Sequence, residues 1–335
     1  MNLRKYFVFN IQSDDYLEPF LIAAVATMML TRFYLNLTNF PQISSGQLHI
    51  AHLLFGGFFM LAGIVLFSAF LNQPAHRTAS VLGGIGFGFF IDELGKFITS
   101  DNNYFYEPTI SIIYVVFILM FFGFKFLDKQ HRLTSKEYLL NALEITQNLA
   151  LYERDKRQKR TAINLLKRAD PKEPFADELI AMLEKYQPEE GNEKDIIDNT
   201  VDEVSTLYHK FVSHKYFIRV AILVFVLASL FGLFRIVGII SAFLVNPSQV
   251  PTFSQVAELL STTLSTAFVI LGCARILKNR LQAYELFKYA LLISIFITQV
   301  FTFYRDQFSA ITILAVNIFF YAVIQYMIKK ERKEE

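Results

Sequence analysis

The stretch Gly83-Gly84-Ile85-Gly86-Phe87-Gly88-Phe89-Phe90-Ile91-Asp92-Glu93-Leu94-Gly95-Lys96-Phe97 decides how the chain folds. Its apolar and small residues read as a membrane-crossing helix, yet it carries two adjacent carboxylates and a lysine. Each charge in hydrocarbon costs at least about 2.5–3.5 kcal/mol even on the lenient insertion scale, so such groups are rarely accidental. The closely spaced glycines let neighbouring backbones approach the same helix, which is how partners for those charges come within reach. Two lookalikes are set aside. Gly84-Ile85-Gly86-Phe87-Gly88 has no strand before it and apolar surroundings, and Gly95-Lys96 lacks the glycine-rich loop and following Ser or Thr of a phosphate-binding loop.

Outward from that stretch the chain has the same character. Of 335 residues, 53% are hydrophobic and 16% aromatic, with a mean hydropathy of +0.37. The apolar residues collect into runs of about 20, the length needed to cross about 30 Å of hydrocarbon. These runs lie near 16–38, 48–71, 80–99 and 109–127, then near 217–245, 253–277, 283–304 and 308–328. The predicted fold is therefore an all-α polytopic membrane bundle of eight spans, four in 1–127 and four in 216–335. Between them lies a polar helical domain, 128–215. A formal net charge of +2 gives no reason to expect nucleic acid as a partner. The single cysteine, Cys273, excludes an internal disulfide or a cysteine-rich zinc site. The first 15 residues lack the pattern of a cleavable signal, so the first span is expected to direct insertion.

Basic residues fix the orientation. Arg4, Lys5, His76, Arg77, the polar middle, Lys278, Arg280 and the tail Lys329–Lys333 all fall on one side of the eight-span arrangement. The four loops on the other side contain one basic residue, Arg305. Both termini and the middle domain are expected in the cytoplasm, and the membrane is expected to be the prokaryotic plasma membrane. In the middle domain Leu139, Leu140, Leu143, Ile145, Leu149 and Leu151 recur at roughly helical spacing. It is read as three or four helices, able to recruit a cytoplasmic partner, with 154–160 a solvated basic face. The bilayer itself is the one certain partner, and association into a homo-oligomer is open.

Counting about 1.5 Å per residue from the span ends brings several polar groups to the outer half of the first four helices. They are Arg32, His49, His52, Asp92, Glu93 and Lys96, with Asp101, Tyr104 and Glu107 in the next loop. His49, His52, Gly56 and Gly63 share one helix face, and Gly84, Gly88, Asp92 and Gly95 form a second stripe, so Asp92 is expected to face the bundle. Three readings remain open for this cluster. It is a structural ion-pair network, a proton or ion pathway, or a divalent metal site on His49, His52 and Asp92. Against metal stands Lys96, whose charge competes for the same carboxylates. In the second half, Arg235 and Glu258 are expected to pair. Ser261, Thr262, Thr263, Ser265 and Thr266 form a dense hydroxyl run that either bonds its own helix or lines a polar pore.

His49 and His52, Gly84 to Gly88, Asp92-Glu93, and Asp101 with Tyr104 occur in an order that resembles an uncharacterised prokaryotic family of small multi-pass membrane proteins. That family has clustered histidines opening one helix, a Gly-x-Gly run ending in Asp-Glu on the next, and an acidic, aromatic outer loop. The likeness covers about residues 48–115. It implies a shared site and no particular chemistry. The chain departs from the pattern in having only two histidines, and in carrying Gly95-Lys96 after the acidic pair.

The leading expectation is transport or conduction of a small cation or proton. A metal-dependent hydrolase of a lipid-linked substrate and a membrane scaffold or sensor are the alternatives.

Overall fold

The computed structural model describes residues 7–38, 44–45, 48–49, 52–103, 106, 108–129, 133–151, 156–170, 173, 175–186, 223–227, 237–238, 241 and 252–334. The chain forms two compact units. One comprises Met1–Tyr104 and Phe117–Glu193, the other Phe105–Val116 and Lys194–Glu335.

The first unit is organised around a glycine-faced helix. Helix α1 (Asp14–Leu37) opens on Asp14 and Asp15, which suit the positive end of a helix dipole. A two-residue antiparallel ladder follows, β1 (Ser44–Ser45) with β2 (Leu48–His49). Helices α2 (Leu53–Ala69) and α3 (Gln73–Asp92) are joined by a short turn, with Asn72 extended and Pro74 in the first turn of α3. α3 packs against both α1 and α2.

Two stripes on α3 explain this. A Cβ on Gly84 would run into the Phe20 carbonyl oxygen, and one on Gly88 would lie 2.5 Å from that of Ala24. On the adjoining stripe a Cβ on Gly86 would lie 2.5 Å from the Gly56 oxygen and 2.7 Å from the Met60 nitrogen, while one on Gly63 would lie 2.7 Å from the Ala79 oxygen. Backbone thus meets backbone on both sides of α3, as small residues permit in membrane helices.

The span expected over 80–99 is not one continuous helix. α3 starts seven residues earlier, stops at Asp92, and resumes after Glu93 as α4 (Leu94–Ile98). At the break Glu93 has φ −81° and ψ 1°, and its N–H reaches Phe90 O at 3.3 Å in a three-residue step. The span expected from Leu48 also begins later, because 48–49 belong to β2 and the helix starts at Leu53.

Five helices among the described residues are long and apolar enough to cross a membrane: Asp14–Leu35, Pro108–Leu127, Phe253–Arg275, Arg280–Asp306 and Ala310–Arg332. α2 is apolar but has only 17 residues, and the first turns of α3 carry Gln73, His76 and Arg77. Of the span expected over 217–245, only 223–227, 237–238 and 241 fall among the described residues. The chain is thus a helical protein of membrane type.

Helix α5 (Pro108–Lys129) contributes to both units. In the first unit Phe117 meets Phe87 and Phe124 meets Phe20. The polar middle supplies α6 (Ser135–Leu151), α7 (Lys156–Leu166) and α8 (Ala176–Lys185) around a small core that includes Leu139, Ile145, Leu149, Leu166 and Leu183. α6 docks through buried amides. Asn141 accepts from the Ile11 N–H at 2.9 Å and donates to Phe9 O at 2.8 Å, while Asn148 accepts from the Gln73 N–H at 3.2 Å.

The second unit contains α9 (Phe253–Arg275), with a capping box of Thr252 and Gln255, and α10 (Arg280–Ile293). A π-turn, Ser294–Thr298, leads into α11 (Gln299–Asp306), and α12 (Ala310–Glu334) follows. Val269, Phe287, Leu291, Phe320, Val323 and Ile324 lie in its core.

If backbone contact at α3 holds this unit together, Gly86→Ala should destabilise it by about 1–3 kcal/mol, the usual cost of overpacking. Gly57→Ala, which has nothing within 4 Å of the added carbon, should be neutral or slightly stabilising. Thermal unfolding of the two variants in the same detergent checks this.

Candidate functional site

The two glycine stripes of α3 each end in a carboxylate. Asp92 lies four residues beyond Gly88, on the face turned to α1. Glu93 lies seven residues beyond Gly86, two turns along the face turned to α2. On α1 the buried positions Ala24, Met28 and Arg32 are four apart, so Arg32 arrives opposite Asp92. On α2, His52 precedes Gly56 by four residues and arrives opposite Glu93. The spacing therefore delivers one cation and one imidazole to the helix break from opposite sides.

Asp92 is wholly buried, Glu93 is 1% exposed and Arg32 is 5% exposed. Arg32 Nε donates to Asp92 Oδ1, and Arg32 Nη2 donates to the Asp92 carbonyl oxygen at 2.8 Å. One side chain thus answers both the carboxylate and a carbonyl at the point where the helix stops, where such groups lose intrahelical partners. His52 Nε2 lies 2.9 Å from Asp92 Oδ2, and its Nδ1 lies 3.1 Å from Glu93 Oε1. Lys96 Nζ pairs with Glu93 Oε2 at 2.6 Å. His52 and Lys96, at 22% and 30% side-chain exposure, form the accessible side of the cluster.

Among the described residues the cluster sets two basic side chains, Arg32 and Lys96, and one imidazole, His52, against two carboxylates, Asp92 and Glu93. A neutral imidazole has one N–H and one lone pair, while both of its nitrogens here face carboxylate oxygens. Nε2 is placed to hydrogen-bond Asp92 Oδ2, whereas Nδ1 faces Glu93 Oε1, a buried oxygen with no aligned donor. The ring thus bridges the two carboxylates, hydrogen-bonded to one and beside the other.

The structure brings together five of the residues singled out in the sequence: Arg32, His52, Asp92, Glu93 and Lys96. His49 has its backbone in β2, paired with Ser44, and its side chain lies outside the described part. Tyr104, Glu107 and Arg235 also lie outside the described residues, and Asp101 is exposed in the turn after α4. Glu258 is ion-paired with Arg305, which also meets Asp306 at 2.6 Å. The pairing expected between Arg235 and Glu258 involves a residue outside the described part.

Among the described residues no group of three His, Cys, Asp or Glu side chains is disposed to hold a metal ion. The set His49, His52 and Asp92 includes a side chain, that of His49, outside the described part. Nitrogens of Arg32, His52 and Lys96 lie against all four oxygens of the acidic pair, where a metal would need open ligands.

Comparison with protein-family models, with curated proteins and with solved structures finds no match to this chain.

Removing one partner of a buried pair strands the other charge and costs about 3–5 kcal/mol. Arg32→Met should therefore destabilise strongly, whereas Arg32→Met combined with Asp92→Leu should recover most of the loss. Unfolding of the single and double variants in mild detergent tests the pair as a pair.

Proposed function

We propose that the protein is an eight-span plasma-membrane protein that carries protons, or a small cation exchanged for them, with both termini and 128–215 in the cytoplasm. His52, Asp92 and Glu93 form the relay. The carrying observation is the imidazole set between two buried carboxylates at a helix break. Interrupted membrane helices with ionisable groups at the break are a recurrent way to build such pathways.

The relay follows from the two ring nitrogens. A proton delivered from the accessible Glu93 side enters at Nδ1 and gives an imidazolium. Release of the Nε2 proton to Asp92 Oδ2 restores a neutral ring in its other tautomer. Neutralising Asp92 removes the charge that holds Arg32, so proton arrival loosens the contact between α1 and α3. Lys96 pairs with Glu93 and competes with any divalent ion for its carboxylate.

A sensor reading has its own support in the docking of α6 on residues 9–11 and 71–73. These lie at the ends of α1 and α3 remote from Arg32 and Asp92, so the polar helices have a direct mechanical link to the helices of the relay.

Reconstituted in vesicles with an imposed pH gradient, the protein should dissipate the gradient. Asp92→Asn and His52→Gln should each slow this at least about tenfold at equal folded protein, the scale on which removing a positioned acid–base group acts. A wild-type protein with no flux, or an Asp92→Asn variant with unchanged flux, contradicts the proposal.

A further inference from the structure

Toward the start of α3, away from the charged cluster, the first unit holds a cleft that the relay does not use. It has a volume of about 410 Å³ and is walled by Tyr16 and Phe20 of α1 and by Ile64 and Phe67 of α2, over a floor that includes Ser80 and Gly83 of α3. Among the described residues α1 and α2 both pack on α3 and touch each other little, so the cleft is the trough between them. It opens sideways past Ile64 and Phe67, which are 63% and 54% exposed. α1 is of membrane-crossing length and α2 is apolar throughout, and exposed apolar residues on such helices meet hydrocarbon.

The trough is narrow. A Cβ on Gly84 would strike the Phe20 carbonyl, while a Cβ on Gly63 would lie 3.1 Å from the Gly83 nitrogen. The two walls therefore reach α3 at adjacent residues, which leaves a slot one residue wide at its floor. A helix with its side chains is about 10–12 Å across and does not enter such a slot. A single hydrocarbon chain does.

One end of the slot is closed and polar. His76, one turn before Ser80, stacks on Phe67 with ring centroids 4.3 Å apart and meets Tyr16 edge-on at 5.9 Å, so its imidazole joins both walls. Its Nε2 donates to Phe70 O at 2.8 Å. Beside it Arg77 is half exposed and pairs with Asp15 through Nη2 at 3.3 Å. The planar guanidinium has five N–H donors in a fork that suits phosphate oxygens. We infer that the slot holds one acyl chain of a membrane phospholipid whose phosphate rests on Arg77. The inference needs these helices to lie in a bilayer and does not need the relay. A bound chain wedges between α1 and α2 and fixes how both lie on α3, so lipid reaches the helices that carry Arg32, His52 and Asp92.

The test titrates the full chain, freed of lipid in mild detergent, with radiolabelled phosphatidylglycerol. Binding should saturate at one lipid per chain. Gly83→Leu fills the slot: among the described residues an added Cβ there meets only the Phe20 ring, at 3.4 Å, so the variant should fold and bind at least about tenfold more weakly. Gly57→Leu, whose added carbon has nothing within 4 Å and which does not line the slot, should bind normally. Arg77→Gln, at an exposed position, should weaken phosphatidylglycerol about tenfold and bind diacylglycerol, the same tails without phosphate, as the unsubstituted chain does. Asp92→Asn should bind lipid undiminished whatever its proton flux, which keeps this test apart from that of the relay. The inference is overturned by binding that does not saturate, by Gly83→Leu binding like Gly57→Leu, by Arg77→Gln binding phosphatidylglycerol unchanged, or by a dimer that Gly83→Leu dissociates in place of a bound lipid.

Discussion

The bidentate hold of Arg32 on Asp92 is the contact on which the first unit depends. A buried carboxylate in a membrane helix needs a cation at hydrogen-bonding distance, because no solvent reaches it to share the charge. That distance is attainable only because α1 lies against α3 with glycine between them. The same guanidinium satisfies the carbonyl released where α3 stops, so the pair also supports the break that turns Glu93 toward α2. Without the break, Asp92 and Glu93 would continue as helix and the carbonyl would return to the intrahelical ladder. Packing, helix termination and charge placement are one arrangement here.

Much of this was legible in the sequence. Glycine at positions 84 and 88 followed by Asp92 is a four-residue stripe, and a stripe of that kind in an apolar helix implies a close neighbour. The glycine at 56 and the histidine at 52 form the matching stripe on α2. The helix break at Glu93 was not legible. No proline marks it, and its stabilisation comes from Arg32, some sixty positions earlier in the chain. The start of α2 was displaced for a similar reason: alternation in Leu48-His49 pairs with Ser44-Ser45, while the apolar composition alone extends the helix through it. The pairing of Glu258 with Arg305 was not legible either, because it joins helices 47 positions apart in the chain.

The two units handle polarity in the membrane differently. In the first, ionisable groups of both signs are gathered at one helix break around an imidazole. In the second, polarity is spread over neutral hydroxyls of α9 and the π-turn, set beside apolar side chains such as Phe225 and Phe320. A charged cluster favours proton exchange, in which a group changes state. The sequence announces both, one as a Gly-rich segment ending in Asp-Glu and the other as a Ser/Thr-dense helix, yet only the fold separates the hydroxyls set beside those side chains from those, like Thr263, that are not.

The protonation state of His52 across pH tests the account most directly. With nitrogen-15 labelled histidine in bilayers, and His52→Gln used to assign its signals, the ring should pass from one protonated nitrogen to two as the medium is acidified, and Asp92→Asn should alter that passage. A His52 that keeps a single tautomer over the whole range in which the protein stays folded would contradict the relay.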